Sequence, residues 1–256
     1  MQVISSKDND LIKHIRKLKD KKYRDEYDEF IVEGLKMVEE ALEEKVKFKT
    51  IIICEEFLGD SIKQDLLYDL AKENVVYVTA KVFKLLTDVL TPQGILAVVE
   101  KNKSNELNYK EDLFLILDNI QDPGNMGTII RTADSVGLSQ IIVQKNSVDC
   151  YNQKVVRSSM GAIYRVNIIE SQDLGKTIKE LKKHKIKIYA TDLKTDKSIY
   201  DVDYKKSAII IGNEANGVSQ EVLKLADERI KIPMKGKTES LNAAVATGII
   251  LYNAVR

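Results

Sequence analysis

Cysteine and histidine are scarce in this chain, two of each among 256 residues. Cys54, Cys150, His14 and His184 lie far apart and fall into no metal-ligand spacing, so no metal site is expected. Both cysteines are expected as buried thiols in a reduced, cytoplasmic setting. Long apolar runs are missing as well. Nothing approaches the roughly 20 residues that cross a bilayer, and the opening stretch MQVISSKDNDLIKHIRK lacks the apolar centre of a secretion signal. No membrane partner is therefore expected. No G-x-G-x-x-G follows the first strand of either half, which speaks against a dinucleotide-binding oxidoreductase. A strong charge of one sign is absent too: the net charge is +1, so overall charge announces no nucleic-acid partner.

What is present is a soluble globular composition, 44% hydrophobic and 31% charged, in a chain long enough for one large domain or two ordinary ones. Charge is unevenly spread. Between Leu11 and Arg24 stand seven basic residues (Lys13, Arg16, Lys17, Lys19, Lys21, Lys22 and Arg24) against one acid, Asp20. Such a stretch is either a solvated helix face or a set of phosphate contacts.

Residues 1–100 alternate strand and helix patterns. Leu11, Ile15 and Leu18 recur at helical spacing. The strand EFIVE (Glu29–Glu33), an amphipathic helix after Gly34, strand Lys49–Cys54, a helix at Ser61–Ala71, strand Val75–Val78, a short helix Lys81–Leu86 and strand Ile95–Glu100 follow. No catalytic set appears here, since nothing implies an acid partner for His14. The polar run Lys101–Asp112 interrupts the pattern and places a domain boundary, giving residues 1–104 and 105–256.

A second α/β series begins at Leu113. Strands are expected at Leu113–Leu117, Gln140–Val143, Tyr164–Ile169, Lys187–Ala190, Ala208–Ile211 and Arg229–Ile232. Helices are expected near Gly127–Val136, Gln153–Ser159, Leu174–His184, Ser219–Ala226 and Leu241–Val255. Apolar strands without alternation, such as AIII, point to a mostly parallel sheet covered on both faces. Ligands of such sheets bind beyond the carboxyl ends of the strands, which directs attention to three loops. In Asp118–Arg131, Asn125 is either a helix cap or a ligand-facing group, and facing one ligand with Arg131 requires it to lie just before the first turn. In Gly212–Gly217 the glycines allow tight turning, and Glu214 is a carboxylate that a structural loop hardly needs. The third loop, Ile232–Asn242, leads into LNAAVATGIILYNAV, apolar on nearly every face and so expected to be buried. Ser240 could be its N-cap and Asn242 a turn residue.

Together, in order, these loops read N-x-G-x-x-x-R-T-A, G-N-E-x-x-G-V-S and I-P-M-x-G-x-x-x-S-L-N. The series resembles the three motifs of the SpoU (TrmH-like) RNA ribose 2′-O-methyltransferases of the SPOUT superfamily, over roughly residues 112–256. FIVEGLKMVEEAL at 30–42 resembles, less specifically, the ribosomal-protein-L30e-like substrate-binding domain that precedes many of these enzymes. The resemblance implies an α/β protein: a SPOUT α/β-knot domain, its C-terminal segment threaded into a trefoil knot that ordinary connection rules make very rare, after a smaller L30e-like domain. It implies S-adenosylmethionine as cofactor, held around Thr191, Gly212, Asn213, Ile232, Met234 and Leu241, with Thr191 fixed by no motif. It also implies an obligate homodimer and no need of a metal.

The same resemblance nominates Asn125, Arg131, Glu214, Ser240 and Asn242 as the catalytic constellation. Asn125 and Asn242 would position the ribose, and Ser240 would hydrogen bond near the reacting centre. A guanidine with a pKa above about 12 is a poor base, so Arg131 is read as a clamp on the target phosphate that also steadies charge developing on the 2′-oxygen. Glu214 would either orient Arg131, across the dimer if need be, or brace its loop. Single-stranded or loop RNA is the expected substrate, with Lys13, Arg16, Lys17, Lys21 and Arg24 supplying phosphate contacts. Ribosomal RNA is the first expectation and transfer RNA the second. A non-catalytic RNA-binding or ribosome-associated protein is the alternative of a different class.

Overall fold

The computed structural model describes residues 3–58, 70, 72–101 and 106–256. The helix expected at Ser61–Ala71 falls, apart from Leu70, outside the described residues. In chain order the first elements are β1 (Val3–Ile4), α1 (Asp10–Lys17), α2 (Lys21–Tyr27), β2 (Glu29–Glu33), α3 (Leu35–Glu43), β3 (Phe48–Ile53), α4 (Glu55–Leu58), β4 (Val75–Val78), α5 (Ala80–Leu86) and β5 (Ile95–Glu100). Then come β6 (Leu113–Asp118), α6 (Pro123–Ser135), β7 (Gln140–Gln144), α7 (Gln153–Ser159), β8 (Asn167–Ser171), α8 (Leu174–Lys183), β9 (Lys187–Thr191), β10 (Ser207–Gly212), α9 (Gln220–Leu223), β11 (Glu228–Ile230) and α10 (Ala243–Ala254).

Two compact units result. The first comprises Met1–Asn102 together with Tyr151–Tyr164. Its five strands run in the order β1-β4-β3-β5-β2, with β5 antiparallel to both neighbours. The core on one side gathers Ile12, Ile15 and Leu18 from the first helix with Ile31, Ile52, Phe83, Leu86 and Leu96. The segment Tyr151–Tyr164, which sequence order alone assigns to the second series, belongs here by contact. Phe30 and Tyr151 meet ring to ring at 4.9 Å, the Tyr164 hydroxyl donates to Met37 O at 3.1 Å, and Arg157 lies 3.8 Å from Glu33. Burial pushes the Glu33 carboxyl up, against the hydrogen bond that Thr87 Oγ1 donates to it. The expected strand Tyr164–Ile169 is instead a 3₁₀ turn at Ala162–Tyr164 followed by β8.

The second unit is Lys103–Cys150 with Arg165–Arg256. Its six strands run β11-β9-β10-β6-β7-β8, and every pairing is parallel. Side chains alternate between faces along a strand. Phe114, Ile116, Ala208 and Ile210 point to a core shared with Leu174, Ile178 and Leu181 of α8. Leu115, Leu117, Ile209 and Ile211, equally buried, point to the opposite face, where α10 packs against β10 and α6. A strand buried on both faces has no polar side to show, which is why AIII carries no alternation.

Parallel register has a geometric consequence. Gly212 pairs with Asp118, and Ile230 pairs with Thr191. The loops leaving β6, β9, β10 and β11 therefore all emerge at one edge of the sheet. At Gly212 the backbone passes so close to its own loop that an added Cβ would lie 2.1 Å from both the Gly217 carbonyl carbon and the Val218 nitrogen. Those are backbone atoms, tied by reciprocal Asn213–Gly217 hydrogen bonds, and they cannot step aside. Gly212→Ala should therefore lower the free energy of unfolding by about 1–3 kcal/mol in denaturant melts. Gly236→Ala, where the added carbon meets nothing within 4 Å, should change it by less than about 0.5 kcal/mol.

Candidate active site

Four segments converge at that edge. The loops after β9, β10 and β11, with the start of α10, enclose a cleft of about 530 Å3 whose lining includes Thr191, Gly212, Asn213, Glu214, Ile232, Met234, Ser240 and Leu241. All six residues expected around the cofactor thus border one cavity, with Glu214 and Ser240. Its walls alternate apolar side chains (Val218, Leu223, Ile230, Ile250) with backbone, and its volume falls within the range of about 300–1,000 Å3 usual for small-molecule sites. Thr191 Oγ1 donates to Ile210 O at 3.1 Å, so its hydroxyl ties β9 to β10. Asp192 and Arg229, ion-paired at 3.1 Å, and Lys194 add charge to the lining. No loop motif marked those three; only the parallel pairing of β9 with β11 brings them there.

Beside the cleft a chain of side chains joins three loops. Glu214 Oε1 accepts from Asn125 Nδ2 at 3.0 Å and from the Asp122 N–H at 3.1 Å, while Oε2 accepts from the Gln121 N–H at 3.2 Å. Asn125 Oδ1 in turn accepts from Asn242 Nδ2 at 2.8 Å. Asn242 Oδ1 accepts from the N–H groups of Ala244 and Val245 and so caps α10. Partial burial alone would raise the Glu214 carboxyl. The hydrogen bonds from Asn125 and from the N–H groups of Glu214 itself, Asp122 and Gln121 outweigh it and hold the pKa below the usual 4.5.

Four local expectations change. The cap of α6 is Asp122, whose Oδ1 accepts from Asn125 N at 2.8 Å. The helix starts at Pro123, not Gly127, because proline at the first position costs no hydrogen bond and presets φ. Asn125 consequently lies inside the first turn, and its side chain is left free to reach Glu214. Likewise the cap of α10 is Asn242, neither a plain turn residue nor displaced by Ser240. Ser240 is exposed at the cleft's lip. The helix itself is only half covered, since Val245, Tyr252 and Val255 are 51%, 57% and 49% exposed. Arg131 is not brought to the others. Six residues past Asn125, it points about 120° away around the helix at 3.6 residues per turn, and it has no hydrogen bond or ion pair among the described residues. Within one chain Glu214 braces its loop and does not orient Arg131.

The basic residues of the first unit separate into two kinds. Lys13 and Arg16 are exposed, Lys13 lying 3.5 Å from Asp10, and Lys21 is half-buried at the start of α2. Lys17 faces the Tyr23 ring. Arg24 departs from expectation: it is 3% exposed, and its guanidinium donates to Leu18 O and Lys19 O at 2.7 and 2.8 Å. Those are the carbonyls left over at the end of α1, so Arg24 is spent on the fold and is not a phosphate contact. His14 does have an acid partner, with Nε2 2.6 Å from Glu29 Oε2.

The SpoU rRNA Methylase family matches residues 112–252, and an MRM3-like substrate binding domain matches residues 9–97. The chain belongs to the SpoU methylase family. It is 33% identical over 255 residues, 99% of both chains, to the 23S rRNA (guanosine(2553)-2′-O)-methyltransferase RlmP of Bacillus subtilis. The crystal structure of an AdoMet-bound rRNA methyltransferase from Sinorhizobium meliloti superposes with a TM-score of 0.87 at 32% identity, covering 99% of this chain and 97% of that one. The SpoU methyltransferase AviRb from Streptomyces viridochromogenes, in complex with AdoMet, gives 0.85 at 27% identity, covering 96% and 97%. As a SpoU methylase the chain is an S-adenosylmethionine-dependent RNA 2′-O-ribose methyltransferase. No helix among the described residues is long and apolar enough to cross a membrane.

The lowered Glu214 carboxyl makes a signed prediction. A depressed folded-state pKa adds stability above the unfolded value and loses it as pH falls through the folded value. The gap in unfolding free energy between wild type and Glu214→Gln should be level from neutral pH to about pH 5 and close as the pH falls below 4.5. A gap unchanged into acid would mean the carboxylate is not held ionised.

Proposed function

We propose that this enzyme methylates a ribose 2′-hydroxyl in ribosomal RNA and works as a homodimer in the cytoplasm, the first unit (residues 1–102 with 151–164) holding RNA and the second (103–150 with 165–256) carrying the chemistry. The single observation that carries the chemistry is that the second and third motif loops line one cleft and the first is tied to both at its rim by the Glu214–Asn125–Asn242 chain. The full-length match to a protein named for 23S rRNA favours ribosomal RNA over transfer RNA.

When bound, S-adenosylmethionine would supply an electrophilic methyl carbon: the ribose 2′-oxygen would bond to it as the carbon–sulfur bond breaks, with S-adenosylhomocysteine leaving and the hydroxyl proton passing to solvent. Gly212, Asn213, Ile232, Met234 and Leu241, with Thr191 behind them, are the residues that would hold it, through loop backbone and apolar walls. Positioning is the protein's main contribution to such a reaction, worth up to about 7–11 kcal/mol in favourable cases. Asn125 and Asn242 serve that end, since their amides are held at both ends and keep the rim in one arrangement. Ser240 presents the free hydroxyl at the lip. Arg131 serves a second copy of the chain: it is exposed on α6, the helix against which α10 packs, and reaches none of its own site residues.

Mixing two crippled chains tests the shared site. Arg131→Ala and Ser240→Ala, each inactive alone, should recover about a quarter of wild-type methyl transfer when co-refolded, because half of random dimers are mixed and each then holds one intact site. A mixture as inactive as its components would place Arg131 in the site of its own chain.

A further inference from the structure

The corner between α1 and α2 is organised around one ring. Arg24 is buried in helix-end hydrogen bonds, and Lys19 is occupied by Asp88 at 2.7 Å and Thr87 O at 3.3 Å. What stays available surrounds Tyr23. The Lys17 ammonium, from α1, lies 5.4 Å from the ring centroid, and the Lys22 ammonium, from α2, lies 5.5 Å from it. Neither lysine has a carboxylate partner among the described residues. The Tyr27 ring is stacked on Tyr23 at 6.2 Å and 12°. Tyr27 leans on His14 at 4.8 Å, and His14 is anchored 2.6 Å from the largely buried carboxylate of Glu29. The platform is thus fixed through successive contacts that end in the sheet.

A fixed aromatic face flanked by cations without counter-ions is the combination that single-strand binders use, bases on the ring and phosphates on the cations. An exposed ammonium is held only weakly by a ring, so either lysine can exchange it for a phosphate. We propose that the α1–α2 corner binds one unpaired nucleotide of the RNA substrate, its base stacked on Tyr23 and its flanking phosphates held by Lys17 and Lys22. This rests on the RNA-methyltransferase reading above and adds to it a requirement for unpaired RNA at a place remote in sequence from the motif loops. Duplex RNA keeps its bases stacked internally, so it can use the two lysines and not the ring.

The test uses the full chain with two probes across a salt series: an RNA hairpin with an unpaired loop, and the same sequence closed as a duplex. Tyr23→Leu should weaken hairpin binding about tenfold, spare duplex binding and leave the salt slope unchanged. Tyr23→Phe, which keeps the ring, should bind like wild type. Lys17→Gln with Lys22→Gln should flatten the log–log salt slope by about 1.4, two phosphates at about 0.7 each. Wild-type binding by Tyr23→Leu, or an equal loss on hairpin and duplex, would overturn the nucleotide site while leaving RNA binding standing. Failure of the wild type to bind either RNA would instead overturn the reading on which the site rests, and the site with it.

Discussion

The hydrogen bond from Asn125 to Glu214 sets the direction of every polar contact behind it. An ionised carboxylate only accepts, so Asn125 must turn its amino group toward it and its carbonyl away. The carbonyl then requires a donor, which Asn242 provides, and Asn242 is left with its own carbonyl facing the open N–H groups of α10. Reversing any one amide would set acceptor against acceptor. Each bond alone is worth about 0.5–1.5 kcal/mol net, but the three side chains Glu214, Asn125 and Asn242 come from separate segments of the chain. Their joint effect is to hold the rim of the cleft in one arrangement out of many.

That relay can exist only because the strands beneath it are parallel and level. Asp118 and Gly212 end side by side, and β6 and β10 deliver Gln121 and Glu214 to the same height. Asp118, itself buried, ties the two loops further by accepting the Ser219 N–H at 2.8 Å. The closeness at Gly212 follows from the same demand, since a loop folded back that tightly leaves no room for a side chain. Apolar strands supply the cohesion, and the polar groups supply the address.

Much of this was legible in the sequence where a pattern has a single physical meaning. Unbroken apolar strands read as a parallel sheet, and the rule that ligands bind past the strand ends pointed to two loops that line the cleft and to a third tied to its rim through Asn125. Capping was harder. Asp122 and Asn125, or Ser240 and Asn242, are all competent caps, and only the actual start of each helix decides between them. Arg24 looked like one more surface cation because sequence gives no hint that the chain turns sharply after Leu18 and leaves carbonyls to be satisfied there. The terminal helix reads as buried because apolarity alone does not distinguish a core face from an exposed one, and Val245, Tyr252 and Val255 are exposed. His14 and Glu29, fifteen residues apart, meet across α2, a separation that no local periodicity encodes.

The placement of Tyr151–Tyr164 has a further consequence. Gly161 sits where an added Cβ would fall 1.9 Å from a Glu40 carboxylate oxygen, and Val155, Val156 and Ile163 are buried in the same unit. The two units therefore do not correspond to two uninterrupted lengths of chain. A chimera that joined a foreign recognition module to this catalytic half at a single junction would bring a new partner surface to an old helix, with nothing shaped to receive it. The first unit of this chain can be exchanged only as two pieces of sequence at once, and drift in either piece constrains the other.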